Sequence, residues 1–461
     1  MHLLGFIMKY SIVLPFLFFN FLSFPEKNSL TKSEKTNPDS VTVNFRSVGG
    51  IADGIFDNSS VLLDLLSKIG DTKTVIIFDE SENEYCFKST VVFKNKQNVT
   101  LLGTGKVKPK IKFTDGKSIG FRIESCSDFV IENIHFIGAG VKLMGANASP
   151  VKVAFSKKVV IRNCIVENGI TNGIEGFLSD SCIISGNTVF GTKNYNGIGW
   201  AGGNYNLFTK NYCYDNRGQG MELRSLHFSR IEENVCTNNG EEGEQSSGIT
   251  VECEDGSFPV KPLSEQNNSD FFSSVFSGYK ENDVFKVKLG SDKPSEYLVF
   301  KTEKSDDSTM IYRYQSGPKN KLGKIKSLPY KGATEELIDV GSANINVTGN
   351  IVSNNKGYGI YVVSSRRDKL NDIIVKNNII TNNDLSGIFV TTASDNRNLK
   401  FTKRIEIENN LITGNGWKKN KWFIWLYFAD SVTVKNNINR NNDRDNKIGL
   451  TGVINSDISV P

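Results

Sequence analysis

The sequence predicts an all-β chain: a single-stranded right-handed parallel β-helix with an N-terminal capping helix and a small inserted antiparallel β module. Three observations predict it. An Asn-marked repeat recurs along the chain, short strands open on Gly-Ile pairs, and apolar side chains alternate with period 2, which excludes helical repeats.

The repeat is anchored on Asn163, Asn187, Asn211, Asn234, Asn350, Asn378, Asn410 and Asn437. An apolar residue stands three positions before each, and five positions after each comes Asn in seven cases and Thr192 in the eighth. Successive spacings are 24, 24, 23, 116, 28, 32 and 27. Short strands, Asn/Gly turns and a near-constant coil length describe parallel strands stacked along an axis. Asn recurring at one turn position can stack its amides into a ladder. The Leu spacing of a leucine-rich repeat is absent.

Each element follows in order. Lys9 precedes an apolar run over 12–24, broken only by Asn20 and Ser23. A basic flank and about 13 apolar residues suit a secretory signal better than a membrane span of about 20. Met8 offers a shorter start. Residues 1–24 are therefore expected to be a signal and 25–40 a polar linker, with the protein secreted (extracellular, periplasmic or on the cell surface). Asp57-Asn58-Ser59 has N-cap chemistry ahead of Val61, Leu62, Leu65, Leu66 and Ile69 at helical spacing, a cap for the solenoid's first coil. Coils fill 41–255 and 341–461. The spacing of 116 is one coil plus an insert over 256–340, where alternation around Val284 and Tyr297 marks antiparallel strands. Cys213 and Cys236 replace aliphatics at an inward position, and the odd total of seven cysteines reads as core thiols, not a disulfide framework. The charge excess, 55 − 50 = +5, is spread along the chain and argues against a nucleic-acid partner.

The stretch 43–57, Val-Asn-Phe-Arg-Ser-Val-Gly-Gly-Ile-Ala-Asp-Gly-Ile-Phe-Asp, followed by Asn58 and Ser59, resembles the opening motif of the pectate-lyase-like superfamily. That opening recurs in rhamnogalacturonase/epimerase-like lyase domains and in tailspike depolymerases. Asp53-Gly54 and Asp57-Asn58 are its most specific parts, while Ala52 stands for the family's Gly and Ser59 for its Thr. The resemblance implies carbohydrate processing outside the cell, without a mechanism. The catalytic sets of polygalacturonases (Asn-Thr-Asp, Asp-Asp, Gly-His-Gly, Arg-Ile-Lys), of pectate lyases (Trp-x-Asp-His, Arg-x-Pro-x-x-Arg) and of mannuronan epimerases (Asp-Pro-His) are all absent. Fold alone does not give function.

In each Gly-Ile strand the Ile points inward and the next residue outward. The outward column reads Glu175, Gly199, Glu222, Thr250, Tyr361, Phe389, and two residues further on Phe177, Ala201, Arg224, Glu252, Val363, Thr391. Glu222 and Glu252, about 8 Å apart at the backbone, fit an acid and a base of an inverting hydrolase. A lyase would instead hold Ca²⁺ on Glu175, Glu222 and Glu252 against a substrate uronate, with Arg224 or His227 as base. In the plain alternative Arg224 and Glu252 form a cross-strand ion pair, the carboxylates are a solvated face, and His227 is a structural turn residue. Tyr361, Phe389 and Trp425 form a candidate sugar-binding platform if Trp425 faces outward, and Trp200 falls on an inward position. The expectation is a secreted enzyme on an acidic polysaccharide, lyase ahead of glycoside hydrolase, working as monomer or homotrimer. A non-catalytic carbohydrate-binding solenoid and a trimeric adhesion protein are the rivals.

Overall fold

Left-handed residues at the corners bend the chain into coils of three short strands. The computed structural model describes residues 40–459, apart from 71, 116–119, 141–147, 242–245, 254–283, 289–296, 306–307, 317–340, 365–368, 393–401, 417–421 and 443–447. The signal and linker expected over 1–40 thus lie almost wholly outside the described residues. Among the described residues no helix is long and apolar enough to cross a membrane.

One coil shows the pattern. Strands Met221–His227, Arg230–Glu232 and Val235–Thr237 are separated by Phe228, Glu233 and Asn238, with φ of 49°, 56° and 55°. Each strand pairs in parallel with its equivalent in the coil before, residue against residue. The first two strand columns merge into a 24-stranded sheet and the third forms an 11-stranded sheet. Inward residues such as Leu223, Ile231 and Cys236 are fully buried in one continuous core. The strands predicted after Gly-Ile begin where expected, at Ile174, Ile198, Met221, Ile249, Ile360 and Ile388. Glycine precedes them because the coils approach closely there: a Cβ on Gly220 would stand 2.6 Å from the Gly248 carbonyl oxygen.

The Asn ladder exists, at two corners. In the first, the Nδ2 of Asn187, Asn211, Asn234, Asn350, Asn378 and Asn410 each donates to the Oδ1 of the next Asn at 2.9–3.0 Å. The second runs from Asn216 through Asn239, Asn355, Asn383 and Asn415 to Asn442. Each amide also reaches backbone: Asn350 Nδ2 donates to the Ile231 carbonyl at 2.9 Å, and its Oδ1 accepts from the Asn234 N–H at 2.9 Å. These buried amides are saturated, which is the condition for burying them.

The first repeat sits one residue away from its expected register. Cys164, not Asn163, is opposite Asn187, and the Cys164 N–H donates to Asn187 Oδ1 at 3.0 Å. Asn163 and Asn168 are instead left-handed corner residues (φ 54° and 56°), the place filled by Gly186 and Gly191 one coil on. Asn suits both positions, since it tolerates φ > 0 as well as laddering.

The capping helix spans Ser59–Lys68 and buries Leu62, Leu65 and Leu66. Its cap differs in detail from the expectation. Asn58 makes no capping bond; its side chain clamps Ile51, accepting from the N–H and donating to the carbonyl, both at 2.8 Å. Asp57 takes over, accepting from the Ser59 N–H at 3.0 Å. In the insert, strands Val284–Lys288, Tyr297–Ser305 and Ser308–Ser316 pair antiparallel. All seven cysteines are buried thiols outside any disulfide. Burial pushes the Cys126 thiol up to about 11 and Cys164 up to about 12, which leaves them unreactive. Trp200 is core, as its inward position implied, and Gly176 makes room for it: a Cβ there would meet the indole at 1.9 Å.

The outer faces differ in chemistry. One face of the 24-stranded sheet carries ion pairs such as Arg162–Glu132 at 2.7 Å and Lys376–Glu408 at 3.1 Å. The 11-stranded sheet has no charged residue in its strands from Thr188–Phe190 through Leu411–Thr413.

Replacing Asn350 with Ala strands the Asn234 Nδ2 donor and the Ile231 carbonyl inside the core. At roughly 1–3 kcal/mol per buried group left short, we expect a loss of about 3 kcal/mol or more, read as a lower unfolding midpoint in urea. A loss below about 1 kcal/mol would contradict the ladder's structural role.

Candidate functional site

The register places the outward residues of the Gly-Ile strands in one column. It runs through Arg122, Lys152 and Glu175, Gly199, Glu222 and Thr250, and Tyr361, Phe389 and Trp425. Arg224 and Glu252 are direct neighbours in the parallel column two residues on. The predicted site residues other than His227 therefore share one face of the solenoid.

Glu222 is held from three sides. Asn196 Nδ2 donates to its Oε2 at 3.0 Å, Gln219 Nε2 donates to its Oε1 at 3.2 Å, and the Arg224 guanidinium lies 3.5 Å from Oε2. Two coils earlier, Glu175 accepts from Lys152 Nζ at 2.7 Å and from Ser149 Oγ at 2.6 Å. The Asn172 amide fills the column between them, packed over Gly199 within 2.7 Å of where a Cβ would stand. Arg122 and Glu124 add a third cation–carboxylate contact at 3.0 Å. Cations thus stand beside carboxylates along the face, and Glu175 and Glu222 are each met by hydrogen-bond donors.

Several of these residues were not singled out in the sequence. Arg122 follows Gly120-Phe121, a Gly-apolar opening like the Gly-Ile ones, and could have been found by that signal. Lys152 follows Pro150-Val151 and carries no such mark. Asn196 and Gln219 precede their strands and reach Glu222 only through the stacking of coils.

Three expectations are modified. Among the described residues no three His, Cys, Asp or Glu side chains converge as a metal site. Glu175 and Glu222 stand two coils apart, roughly 10 Å at about 4.8 Å per coil, each with its own donors. His227 lies five residues along the strand from Glu222, roughly 16 Å at about 3.3 Å per residue. It is stacked between Asn204 and Ala343 and is only 7 % exposed. The left-handed residue Ser225 (φ 50°) turns the chain off the column before His227, and burial drives its imidazole down to about 4. The aromatics do face outward, but they stack on one another. Tyr361 and Phe389 lie 5.4 Å apart at 5°, and Phe389 and Trp425 4.3 Å apart at 17°. Phe389 is buried against Tyr358 and Leu385, so its ring faces are spent on neighbours and unavailable to sugar. Trp425 and Tyr427 are outward, while Phe423, two residues before Trp425 and of the same parity along the chain, is core. Trp417, Glu254 and Asp255 lie outside the described residues.

His227 supplies a pH test. Its folded pKa is below the unfolded value, so the unfolded chain binds the extra proton between about pH 6.5 and 4, and stability falls as pH falls through that window. The difference of about 2.5 pH units corresponds to about 3 kcal/mol. Comparing His227→Gln with the native chain between pH 7 and pH 4, we expect the variant to lose that much less stability on acidification. Parallel curves would mean that the imidazole is not buried as described.

Comparison with known proteins supports the architecture. A family described as "Right handed beta helix region" matches residues 107–260 and 340–459. No curated protein sequence matches the chain. Among solved structures, the A-module of the Azotobacter vinelandii mannuronan C-5 epimerase AlgE4 aligns at TM-score 0.53 and 12% identity, covering 90% of this chain and 100% of that one. The Agl-KA catalytic domain aligns at TM-score 0.50 and 11% identity, covering 91% and 68%. A hyperthermoactive exopolygalacturonase from Thermotoga maritima aligns at 0.49 and 13%, covering 90% and 91%. At these identities the likeness is one of fold.

Proposed function

This chain belongs to the right-handed β-helix family, and from that premise we propose that it is an exported enzyme acting on an acidic polysaccharide by β-elimination. The observation that carries the reading is the donor cage around Glu222. Amides from Asn196 and Gln219 donate to its carboxylate and the Arg224 guanidinium lies 3.5 Å from it, donors and a cation of the kind a carboxylate anion accepts. An anionic carboxylate serves as a base. A hydrolase needs a second carboxyl kept protonated as acid, and Glu175, the other well-defined carboxylate, is bound to a lysine ammonium.

In the proposed reaction the uronate carboxylate lies against the Arg224 guanidinium beside Glu222, while Lys152, three coils away, meets a neighbouring sugar. Neutralising the uronate carboxylate acidifies the proton on sugar C5. Glu222 takes that proton, the C5–H electrons form the C4–C5 double bond, and the C4–O bond breaks. The departing oxygen takes its proton from water. Arg122 extends the cationic track for a neighbouring sugar. Ca²⁺ would supply the same charge neutralisation, but Glu175, Glu222 and Glu252 do not converge on a point, so no step is routed through it. The AlgE4 module is by name a C-5 epimerase of mannuronan, a uronate polymer altered at the same carbon, which agrees with this substrate class.

The test incubates the purified chain with a panel of uronate and neutral polysaccharides, following ultraviolet absorbance of unsaturated ends and total reducing ends. We expect absorbance on a uronate polymer, lowered at least ~100-fold in Glu222→Gln without change in melting temperature, and insensitive to a Ca²⁺ chelator. Reducing ends without absorbance would replace elimination with hydrolysis at Glu222/Glu252. Glycan binding without either product would leave a carbohydrate-binding solenoid.

A further inference from the structure

The uncharged outer face of the 11-stranded sheet is unlike the rest of the surface. Charged residues make up 23% of the chain, and the outer face of the neighbouring sheet is laced with ion pairs. Yet six consecutive strands here, Thr188–Phe190 to Leu411–Thr413, present only aliphatic, aromatic and hydroxyl side chains. Several large ones are well exposed: Tyr212 41%, Ile351 42%, Ile379 42% and, one strand further, Ile438 49%. A β-branched, charge-free, regularly spaced surface is what a sheet presents to another sheet.

The charges at its two ends say what that sheet is. In one outward column the uncharged stretch is bounded by Glu167 at one end and Arg440 at the other. Counted strand by strand, both stand equally far from the midpoint between Val235–Thr237 and Ile351–Ser353, which pair directly. A two-fold axis along the strands at that midpoint reverses the coil order and keeps each column facing itself. It sets Glu167 of one copy against Arg440 of the other, twice, with Tyr212 over Ile379 and Val235 over Ile351 between them. We infer that this face is an interface between two copies of the chain, packed antiparallel with sheet against sheet.

The area suffices for a modest dimer. Eight strands at about 4.8 Å spacing span roughly 34 Å, and with about 12 Å of strand width each copy contributes about 400 Å² in projection. Side-chain relief raises the accessible area, so the pair buries on the order of 1,000 Å², the lower end for a specific interface. The proposed catalytic column lies on the other sheet, so both copies keep it open to substrate.

Sedimentation velocity of the purified full chain, from about 1 µM to about 100 µM, tests this. A monomer–dimer equilibrium is expected. Ile379→Lys and, separately, Thr381→Lys should shift it to monomer while circular dichroism and melting temperature stay those of the native chain. Glu167→Arg alone should weaken the dimer at least ~10-fold, and Glu167→Arg with Arg440→Glu should restore it. A monomer throughout, a trimer, or a dimer indifferent to both lysine variants would overturn the interface. A dimer lost in the lysine variants but not restored by the charge exchange would overturn the antiparallel arrangement.

Discussion

A buried asparagine amide has two donors and an acceptor oxygen to satisfy, and in this chain it finds them only in the coils above and below. Asn234 takes Asn350 Oδ1 on one side and the Phe208 carbonyl on the other, and every rung but the last of each ladder, Asn437 and Asn442, repeats the arrangement. Slipping one coil by a single residue would break these bonds inside a core with no water to replace them, at roughly 1–3 kcal/mol for each group. The ladders therefore lock register. The left-handed residue before each Asn (Lys210, Glu233, Asn377 and their equivalents) turns the strand so that the amide points inward. Everything else on the surface inherits its position from that lock.

Because register is fixed, each outward position becomes a column, and the three strand columns carry different chemistry. The Gly-Ile strands assemble cations and carboxylates and then an aromatic stack. The strands that follow them carry ion pairs, as a solvated face does. The third column carries no charged residue from Thr188–Phe190 through Leu411–Thr413. Surfaces of one solenoid built from the same repeat have thus been differentiated by substitutions at two outward positions per strand. Dispersed in sequence by 23 to 116 residues, these substitutions become contiguous only on stacking.

The chemistry of the proposed site depends on the same geometry. Parallel in-register strands set equivalent side chains about 4.8 Å apart, close enough for Lys152 to bind Glu175 and for Asn196 to reach Glu222 from the preceding coil. They also decide what cannot be shared. Glu175 and Glu222 are separated by the Gly199 coil, so each is satisfied locally and the two do not form one centre. The aromatic residues, stacked at 4.3–5.4 Å, satisfy one another in the same way and leave no broad platform.

The sequence by itself determined the solenoid, because its period is written in residues that only one architecture can use: Asn at buried corners, Gly where coils nearly touch, and apolar residues at alternate positions. It also determined which residues share the outward column, since parity along a strand is a local property. It placed the first repeat one residue off, because Asn serves equally as a left-handed corner and as a ladder rung, and only the pairing of Cys164 with Asn187 separates the two uses. It could not place His227, whose direction turns on the left-handed residue Ser225, nor find Asn196, Gln219 and Lys152 as partners of the carboxylates. Those contacts join residues one coil apart, 23 to 26 positions in sequence, or cross a corner, as from Gln219 to Glu222. Tertiary stacking alone decides which of them meet, because a hydrogen bond is settled by ångströms and a repeat by counting.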